Sequence, residues 1–265
     1  ASVVITGMAG FWSIDPVYFA ERFRDFLVVI SIIYFIYLLF FAGLTANEKK
    51  NVLMLLLLFI GAAAFWSGFD QSAGSLTIFT RDYVNLTFGT FTAPVSWTQF
   101  VNPLFVVMFA PFFAYLWVFL GKRNLDPNMP IKFGLGLILM ALGFIVMILA
   151  VKYALASSPV GVQWLLLTYL LHTFGELTLS PVGLSAFSKY SPKRYLGQMM
   201  GIWFLASSLG GVLAGLLGGE ATESGLESMS PVFTELVYYC LAIAAVLIVL
   251  SFFIKGAKTD NIPDE

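Results

Sequence analysis

Cysteine and histidine are nearly absent from this chain of 265 residues, which has one residue of each type. The single cysteine, Cys240, cannot form a disulfide within the chain, and no spacing of metal-ligand residues is found. The sequence also shows no nucleophile–base pair and no phosphate-binding loop. These absences argue against a disulfide-stabilised domain, a metalloprotein and an enzyme.

Charged residues are also scarce. They make up 11% of the chain, whereas soluble domains typically contain about 25%. Hydrophobic residues make up 59%, the mean hydropathy is +0.89, and the net charge is -1. Because there is no excess of positive charge, nucleic acid is not an expected partner. The composition predicts a chain that lies in membrane lipid.

Long apolar segments divide the chain into candidate transmembrane helices. A helix that spans a bilayer needs about 20 mostly apolar residues, and a helix satisfies its own backbone groups in lipid. We predict seven such helices, at 19–44, 51–79, 100–120, 131–155, 162–188, 195–219 and 231–254. The first has no proline and has glycine only at its end, so we interpret it as a connecting or lipid-facing helix.

Lysine and arginine predict the orientation, because cytoplasmic loops are enriched in both. Alternating sides at each segment puts ten basic residues on one side, namely Lys49, Lys50, Lys122, Arg123, Lys132, Lys189, Lys193, Arg194, Lys255 and Lys258. The other side receives four, namely Arg22, Arg24, Arg81 and Lys152. We therefore predict that the first side, with the C-terminus, is cytoplasmic.

Two carboxylates, Asp70 and Glu176, fall inside predicted spans, where a charge costs roughly 2.5–3.5 kcal/mol on insertion scales. Neither has a basic residue within four positions on its own helix. Each therefore needs a partner from another helix, or a proton. The alternatives are that Asp70 is hydrated near the external helix end, and that Glu176 makes a structural hydrogen bond. We favour a functional role for both.

Glu176 shares a helix face with Ser180 and Leu184, since the three are four residues apart. His172 precedes Glu176 by the same spacing, and could act as a proton relay or, more commonly for a lone histidine, pack near a helix end. Pro181 lacks a backbone N–H and so frees the carbonyl of residue 177, which predicts a bend near the carboxylate.

Other polar and aromatic residues lie within neighbouring spans. Trp66 and Asp70 are four apart and share a face, while Asn102 precedes a proline near the external entry of its helix. Trp203 falls at mid-depth, where it either packs in the core or forms the wall of a cavity. Carboxylates beside tryptophan faces suit the binding of a cation. We interpret the glycines at four-residue spacing as helix-packing sites: Gly197, Gly201, Gly211, Gly215 and Gly219.

The run "GELTLSPVGLSAFSKYSPKRYLGQMMGIWFLASSLGGVLAG" strongly resembles the signature region of the proton-dependent oligopeptide transporter (POT) family of the major facilitator superfamily. "FWSGFDQSAGSLTIFT", "WTQFVNPLFVVMFAPFFA" and "PIKFGLGLILMALGF" resemble the family's seventh, eighth and ninth helices, in that order. The resemblance covers about residues 48 to 256. One departure is Gly211, which stands where members often have asparagine.

The resemblance implies an all-α integral membrane fold. Residues 48–265 would form the C-terminal six-helix bundle of a major-facilitator fold with a cytoplasmic tail. Residues 1–47 would form an inter-bundle linker with one preceding transmembrane helix at about 19–44. The 265 residues contain no counterpart of the family's N-terminal bundle, with its charged first-helix motif and its basic residues for the peptide carboxylate. We expect activity to need that bundle.

The resemblance also implies roles for individual residues. The substrate-binding residues would be Trp66, Phe69, Asn102, Glu176, Ser180 and Trp203, with Glu176 facing the amino end of the peptide. The residues of the gates and of proton coupling would be Asp70, Glu176, Leu184 and Met200. Among these, Asp70 would pair across the external gate with a basic residue of the other bundle.

The implied function is that of the C-terminal half of a proton-coupled di- and tripeptide symporter that works by alternating access. The coupling ion would be the proton, with no other cofactor and no metal. The partners would be di- and tripeptides, membrane lipid and the N-terminal bundle, and the location a bacterial cytoplasmic (inner) membrane. Two alternatives remain: another substrate, such as nitrate or a drug-like amine, or a structural module that does not transport.

Overall fold

The computed structural model describes residues 15–223 and 225–253. Eight α-helices lie in these residues: α1 Pro16–Ile36, α2 Ala46–Phe69, α3 Ser75–Tyr83, α4 Val101–Lys122, α5 Met129–Ala156, α6 Gln163–Tyr190, α7 Leu196–Glu223 and α8 Leu226–Phe253. A π-helical turn, Tyr37–Phe41, extends α1. Three 3₁₀ turns lie at Asp70–Ser72, Val95–Phe100 and Lys193–Tyr195.

Six segments of the described chain are long and apolar enough to cross a membrane: Pro16–Phe41, Ala46–Tyr83, Val95–Lys122, Met129–Ala156, Lys193–Ala221 and Leu226–Phe252. They coincide with six of the seven predicted spans. The seventh, 162–188, is the helix α6, which has 28 residues but carries polar side chains that include His172 and Glu176. Lys255, Lys258 and the predicted cytoplasmic tail lie outside the described residues.

Side-chain caps fix where several helices begin. Thr45 Oγ1 accepts a hydrogen bond from the Glu48 backbone N–H at 3.3 Å, and Glu48 Oε2 accepts one from the Thr45 N–H at 2.8 Å. This capping box satisfies two backbone donors at the start of α2. Asn128 Oδ1 caps α5 by accepting from the Ile131 N–H at 3.1 Å.

The helices form one bundle around a shared core. Helix α5 packs against α8 and α6, and α2 packs against α7, while α1 lies on α7. The largest fully buried side chains include six phenylalanines: Phe65, Phe79, Phe133, Phe144, Phe187 and Phe233. Helix α4 is peripheral, because its only buried residue is Phe113.

The predicted continuous helix over 51–79 is wrong, because α2 ends at Phe69 and α3 begins at Ser75. The buried Gln71 fills the break: its Nε2 donates to the Ala214 carbonyl of α7 at 3.0 Å, and its Oε1 accepts from Ser75 Oγ at 2.7 Å. Backbone turn bonds replace the lost helical ones, because the Ala73 N–H donates to the Asp70 carbonyl at 3.2 Å and the Gly74 N–H donates to the Gln71 carbonyl at 3.1 Å. These backbone groups therefore stay paired where the helix is interrupted next to Asp70.

Short strands connect the loops at one end of the bundle. β1 (Val84–Asn85) pairs in parallel with β4 (Val160–Gly161). β2 (Thr87–Phe88) and β3 (Phe91–Thr92) form an antiparallel hairpin. Gly89 takes a φ of +64° in the turn of that hairpin, a conformation that glycine adopts at little cost.

The interpretation of the spaced glycines as packing sites holds only in part. A Cβ placed on Gly211 would lie 3.2 Å from Asp70 Oδ2. At Gly197, Gly201 and Gly215 nothing in the described chain lies within 4 Å of that position. These three therefore do not mediate helix packing within the described chain, and α7 presents an open face of small residues.

At the predicted cytoplasmic end, Lys132 is buried rather than exposed in a loop, and 8% of its surface is accessible. Its Nζ lies 2.8 Å from Asp126 Oδ1 and 4.4 Å from the centre of the Trp117 ring. The ion pair and the cation–π contact compensate for the burial of the ammonium group.

Candidate functional site

Glu176 lies at the centre of a polar contact between α4 and α6. Asn102 Nδ2 on α4 donates to Glu176 Oε2 at 3.1 Å and to Thr173 Oγ1 at 3.0 Å. An amide NH₂ has two hydrogens, so it can serve both acceptors. The structure thus brings together two of the predicted substrate residues, Asn102 and Glu176.

Thr173 was missed by the sequence reasoning. It is buried, and its hydroxyl donates to the Tyr169 carbonyl at 2.7 Å while it accepts from Asn102. Its position three residues before Glu176 would have placed it on the same helix face. That spacing was the available signal, although the sequence does not show which helix faces it.

No cation lies against either intramembrane carboxylate in the described residues. The ion pairs within 4.0 Å in this part of the chain are Arg22–Asp25, Arg24–Asp25, Arg81–Asp82 and Lys132–Asp126. Glu176 is half-buried and is held by a neutral amide donor instead. A half-buried carboxylate that is not neutralised within its own bundle is suited to a cationic ligand or a proton.

Three aromatic rings cluster on α2, and one of them, Phe65, contacts the helix of Glu176. Trp66 and Phe69 meet edge to face with ring centroids 5.2 Å apart, and Phe65 lies 5.8 Å from each. A Cβ placed on Gly175 would lie 3.1 Å from Phe65 Cε2, so the absent side chain permits this close approach. Trp66 and Phe69 are half-buried, so part of each side chain is accessible, and the backbone end of Trp66 lies against Gly210 of α7.

Asp70 begins the 3₁₀ turn that follows α2 and is half-buried. Its carboxylate lies near α7, because Asp70 Oδ2 would be 3.2 Å from a Cβ placed on Gly211. An asparagine at that position would reach toward the carboxylate, whereas glycine leaves the space beside it open. Within residues 15–223 and 225–253 no cation lies within 4.0 Å of Asp70, and its role in an external gate stays a prediction.

Trp203 is a core residue in this structure, with 5% of its surface accessible. Its ring centroid lies 5.4 Å from that of Phe187 and 6.4 Å from that of Phe133. The ring covers Gly183, where an added Cβ would be 2.2 Å from Trp203 Cη2. This placement fits the packing alternative for Trp203, and its role in a side-chain pocket stays a prediction.

The remaining predicted residues lie along α6 and α7. Ser180 is half-buried, Leu184 is 43% accessible, and Met200 is half-buried against the core. Their gate roles stay predictions. Pro181 does not interrupt α6, which is helical from residue 163 to residue 190.

His172 is buried where α6 packs against α5. Its ring centroid is 4.9 Å from that of Phe144, and its Nε2 would be 2.3 Å from a Cβ on Gly143. The histidine therefore fills a gap between α6 and α5. Among the described residues, no group of three or more His, Cys, Asp and Glu side chains could hold a metal ion.

Long apolar helices packed around one core, with a carboxylate held by neutral groups between two of them, define an integral membrane protein of the transporter type. Residues 14–227 match the family described as PTR2, the POT family. The chain belongs to the POT family.

Curated relatives agree with this assignment. The peptide transporter YePEPT of Yersinia enterocolitica is 38% identical over 239 residues, which are 89% of this chain and 47% of the relative. A di-/tripeptide transporter of Lactococcus lactis subsp. cremoris is 35% identical over 217 residues, 78% of this chain and 43% of the relative. The chain spans about half the length of the curated relatives it matches, and those relatives are transporters rather than enzymes.

Solved structures show the same fold. A peptide transporter POT in complex with sulfate superposes with a TM-score of 0.86 at 29% identity, covering 97% of this chain and 51% of that one. A POT family transporter in complex with 5-aminolevulinic acid gives 0.84 at 27% identity, covering 96% and 52%. The eight helices therefore correspond to about half of a major-facilitator transporter.

Proposed function

We propose that this chain is the C-terminal half of a proton-coupled di- and tripeptide symporter. The observation that carries the proposal is the Glu176 carboxylate, which is half-buried between membrane helices and bound by Asn102 rather than by a cation. A di- or tripeptide carries an ammonium group at one end. A carboxylate with free acceptor capacity meets the requirement of that group for a charged partner.

The aromatic cluster on α2 suits a substrate with variable side chains. Trp66 and Phe69 offer ring faces and edges that contact apolar side chains without selecting one shape. Asn102 retains its carbonyl oxygen as an acceptor for a peptide N–H. The Lactococcus relative, which carries the name di-/tripeptide transporter, supports the same substrate class.

Proton coupling follows from what Glu176 can bind. An ionised carboxylate attracts the peptide ammonium, whereas a protonated one does not. Binding of a proton to Glu176 therefore lowers its affinity for the ammonium, and binding of the ammonium lowers its affinity for the proton. Asp70 is a second carboxylate without a cation in the described bundle, and we propose that it pairs with a basic residue of the N-terminal bundle. The coupling ion is then the proton, and no other cofactor is required.

A second six-helix bundle is the proposed partner. Glycines permit close helix approach in lipid, and α7 exposes Gly197, Gly201 and Gly215 with open space beside them. We propose that residues 48–265 rock against that bundle in alternating access, with Leu184 and Met200 at the cytoplasmic gate. Residues 1–47 would link the bundles. The charge pattern favours a cytoplasmic C-terminus, and we propose a bacterial inner membrane as the location.

Proton-driven uptake of labelled dialanine by the full-length protein tests this function. Glu176→Gln keeps the shape of the side chain and removes its charge, so it should abolish accumulation against a gradient. Glu227→Gln, an exposed carboxylate at the start of α8, serves as the matched control and should accumulate dialanine normally.

Normal accumulation by Glu176→Gln would overturn the assignment. Unlabelled dialanine should compete with the label. If nitrate or a drug-like amine competes and dialanine does not, the scaffold carries another substrate and the peptide proposal fails.

A further inference from the structure

A cavity lies away from the Glu176 contact, between the connecting helix α1 and the bundle. It has a volume of about 670 Å³ and is bounded by α1, α2, α7 and α8. None of the predicted substrate or gate residues lines it. Its volume falls within the roughly 300–1,000 Å³ typical of ligand pockets.

The walls of this cavity are mostly apolar, while three charged side chains line it as well. Representative apolar residues are Val28, Ile32, Phe35, Leu56, Phe59, Leu213 and Ile243, and the charged residues are Arg24, Glu220 and Glu235. A cavity that combines apolar walls with charged groups suits an amphiphile, because the apolar tail contacts the walls and the polar head group contacts the charged side chains.

Glu235 lies well inside the length of α8, although its side chain is exposed. It follows the start of α8 by nine residues, which corresponds to about 13 Å along the helix axis. A charged side chain at such depth is costly unless it is paired or hydrated. In the described residues, Glu235 and Glu220 each lack a cation within 4.0 Å.

Arg24 does not neutralise these carboxylates. Its Nε and Nη2 donate to the neighbouring Asp25 at 3.1 and 2.8 Å. A guanidinium has five N–H donors, so others remain for an anionic group. Two unpaired carboxylates beside one partly engaged guanidinium give the cavity an excess of negative charge and one site for an anion.

We propose that this cavity binds a phospholipid whose head group carries a primary ammonium. The ammonium contacts Glu235 and Glu220, the phosphate contacts Arg24, and one acyl chain lies along the apolar walls between α1 and α2. An anionic head group without an ammonium would meet two carboxylates unfavourably. A quaternary ammonium cannot donate the hydrogen bonds that carboxylates accept.

This binding would also explain how α1 is held against the bundle. Val28, Ile32 and Phe35 of α1 face the same cavity as Leu56 and Phe59 of α2. The rings of Phe35 and Phe59 also touch directly, with centroids 5.7 Å apart, so the acyl chain adds to an existing helix contact. The proposal does not rest on peptide transport.

Native mass spectrometry of the full-length protein tests the proposal with phosphatidylethanolamine, phosphatidylcholine and phosphatidylglycerol of matched acyl chains. The ethanolamine lipid should be retained most. Glu235→Gln should lower its retention by about tenfold, since a charge-assisted hydrogen bond is lost. Glu227→Gln, on the same helix but outside the cavity, should retain the lipid as the parent does.

Ile32→Trp fills the cavity from α1 without changing any charge, and it should lower retention of the ethanolamine lipid as well. It keeps the test informative if Glu235→Gln does not fold. Equal retention of the three lipids, or unchanged retention in a folded Glu235→Gln or Ile32→Trp variant, would overturn the proposal. Because retention is measured without peptide, failure here is distinct from failure of peptide transport.

Discussion

Asn102 Nδ2 lies 3.1 Å from Glu176 Oε2 and joins two helices through one hydrogen bond from a neutral donor to a carboxylate. A cation in the place of Asn102 would neutralise Glu176 within the bundle and compete with an ammonium ligand. The amide instead orients the carboxylate and leaves its charge available. The account of ligand and proton binding depends on this relationship.

Measurements of peptide affinity should show that Asn102 and Glu176 are energetically coupled. Asn102→Ala and Glu176→Gln should each weaken dialanine binding to the full-length protein by about tenfold, the value of a hydrogen bond that involves a charge. Residues that share a hydrogen bond are not additive, so the double variant should lose less than the sum of both free-energy changes. Isothermal titration calorimetry of the parent, the two single variants and the double variant gives the dissociation constants for this double-mutant cycle.

The matched control for that cycle is Gln198→Ala, since Gln198 is an exposed amide on α7 that accepts from Tyr34 at 3.0 Å. Combined with Glu176→Gln, it should give additive effects. If the Asn102 and Glu176 changes are also additive, their contact does not contribute to peptide binding.

Substitution of Gly183 should destabilise the bundle. An alanine there would place its Cβ 2.2 Å from Trp203 Cη2, and overpacking of a core costs about 1–3 kcal/mol. Gly201→Ala on α7 has nothing within 4 Å and should be neutral or slightly stabilising. Thermal unfolding in detergent measures the difference, and equal midpoints for the two variants would show that the packing around Trp203 is wrong.

The ion pair at the start of α5 should respond unequally to loss of its two members. The Lys132 side chain is 10% accessible and that of Asp126 is 40% accessible. Asp126→Asn leaves a buried ammonium without its counter-charge and should cost about 3 kcal/mol, whereas Lys132→Met removes the buried charge and should cost about 1 kcal/mol.

Lys122→Met, an exposed lysine at the end of α4, is the control for this comparison and should leave the unfolding temperature unchanged. A larger loss for Lys132→Met than for Asp126→Asn would contradict the burial of the ammonium.

The helical architecture could be predicted from the sequence because membrane spans need long apolar runs. The resemblance of the run from Gly175 to Gly215 identified the family, and it implied the roles of Asn102 and Glu176. The contact with Thr173 could not be predicted, since spacing along α6 fixes a face of the helix but not the residue that lies opposite. The break after Phe69 was missed because apolar residues continue on both sides of it.

The surroundings of Trp203 and Lys132 also depended on tertiary packing. Mid-depth placement of Trp203 was compatible with a cavity wall or with the core, and only the neighbours Phe133, Phe187 and Gly183 distinguish the two. Lys132 follows a loop in the sequence. Its burial could not be predicted without knowing that Asp126 and Trp117 contact it in the folded protein. These contacts join residues from separate helices and loops. The spacing of residues within one helix does not predict which residues of another helix they contact.

The most direct test of the central claim is proton movement that accompanies peptide entry. The full-length protein would be reconstituted in liposomes that enclose a pH-sensitive dye, and dialanine would be added outside. The account predicts acidification of the lumen on addition of peptide, abolished by Glu176→Gln and retained by Glu227→Gln. Entry of dialanine without acidification, or equal acidification in Glu176→Gln, would contradict it.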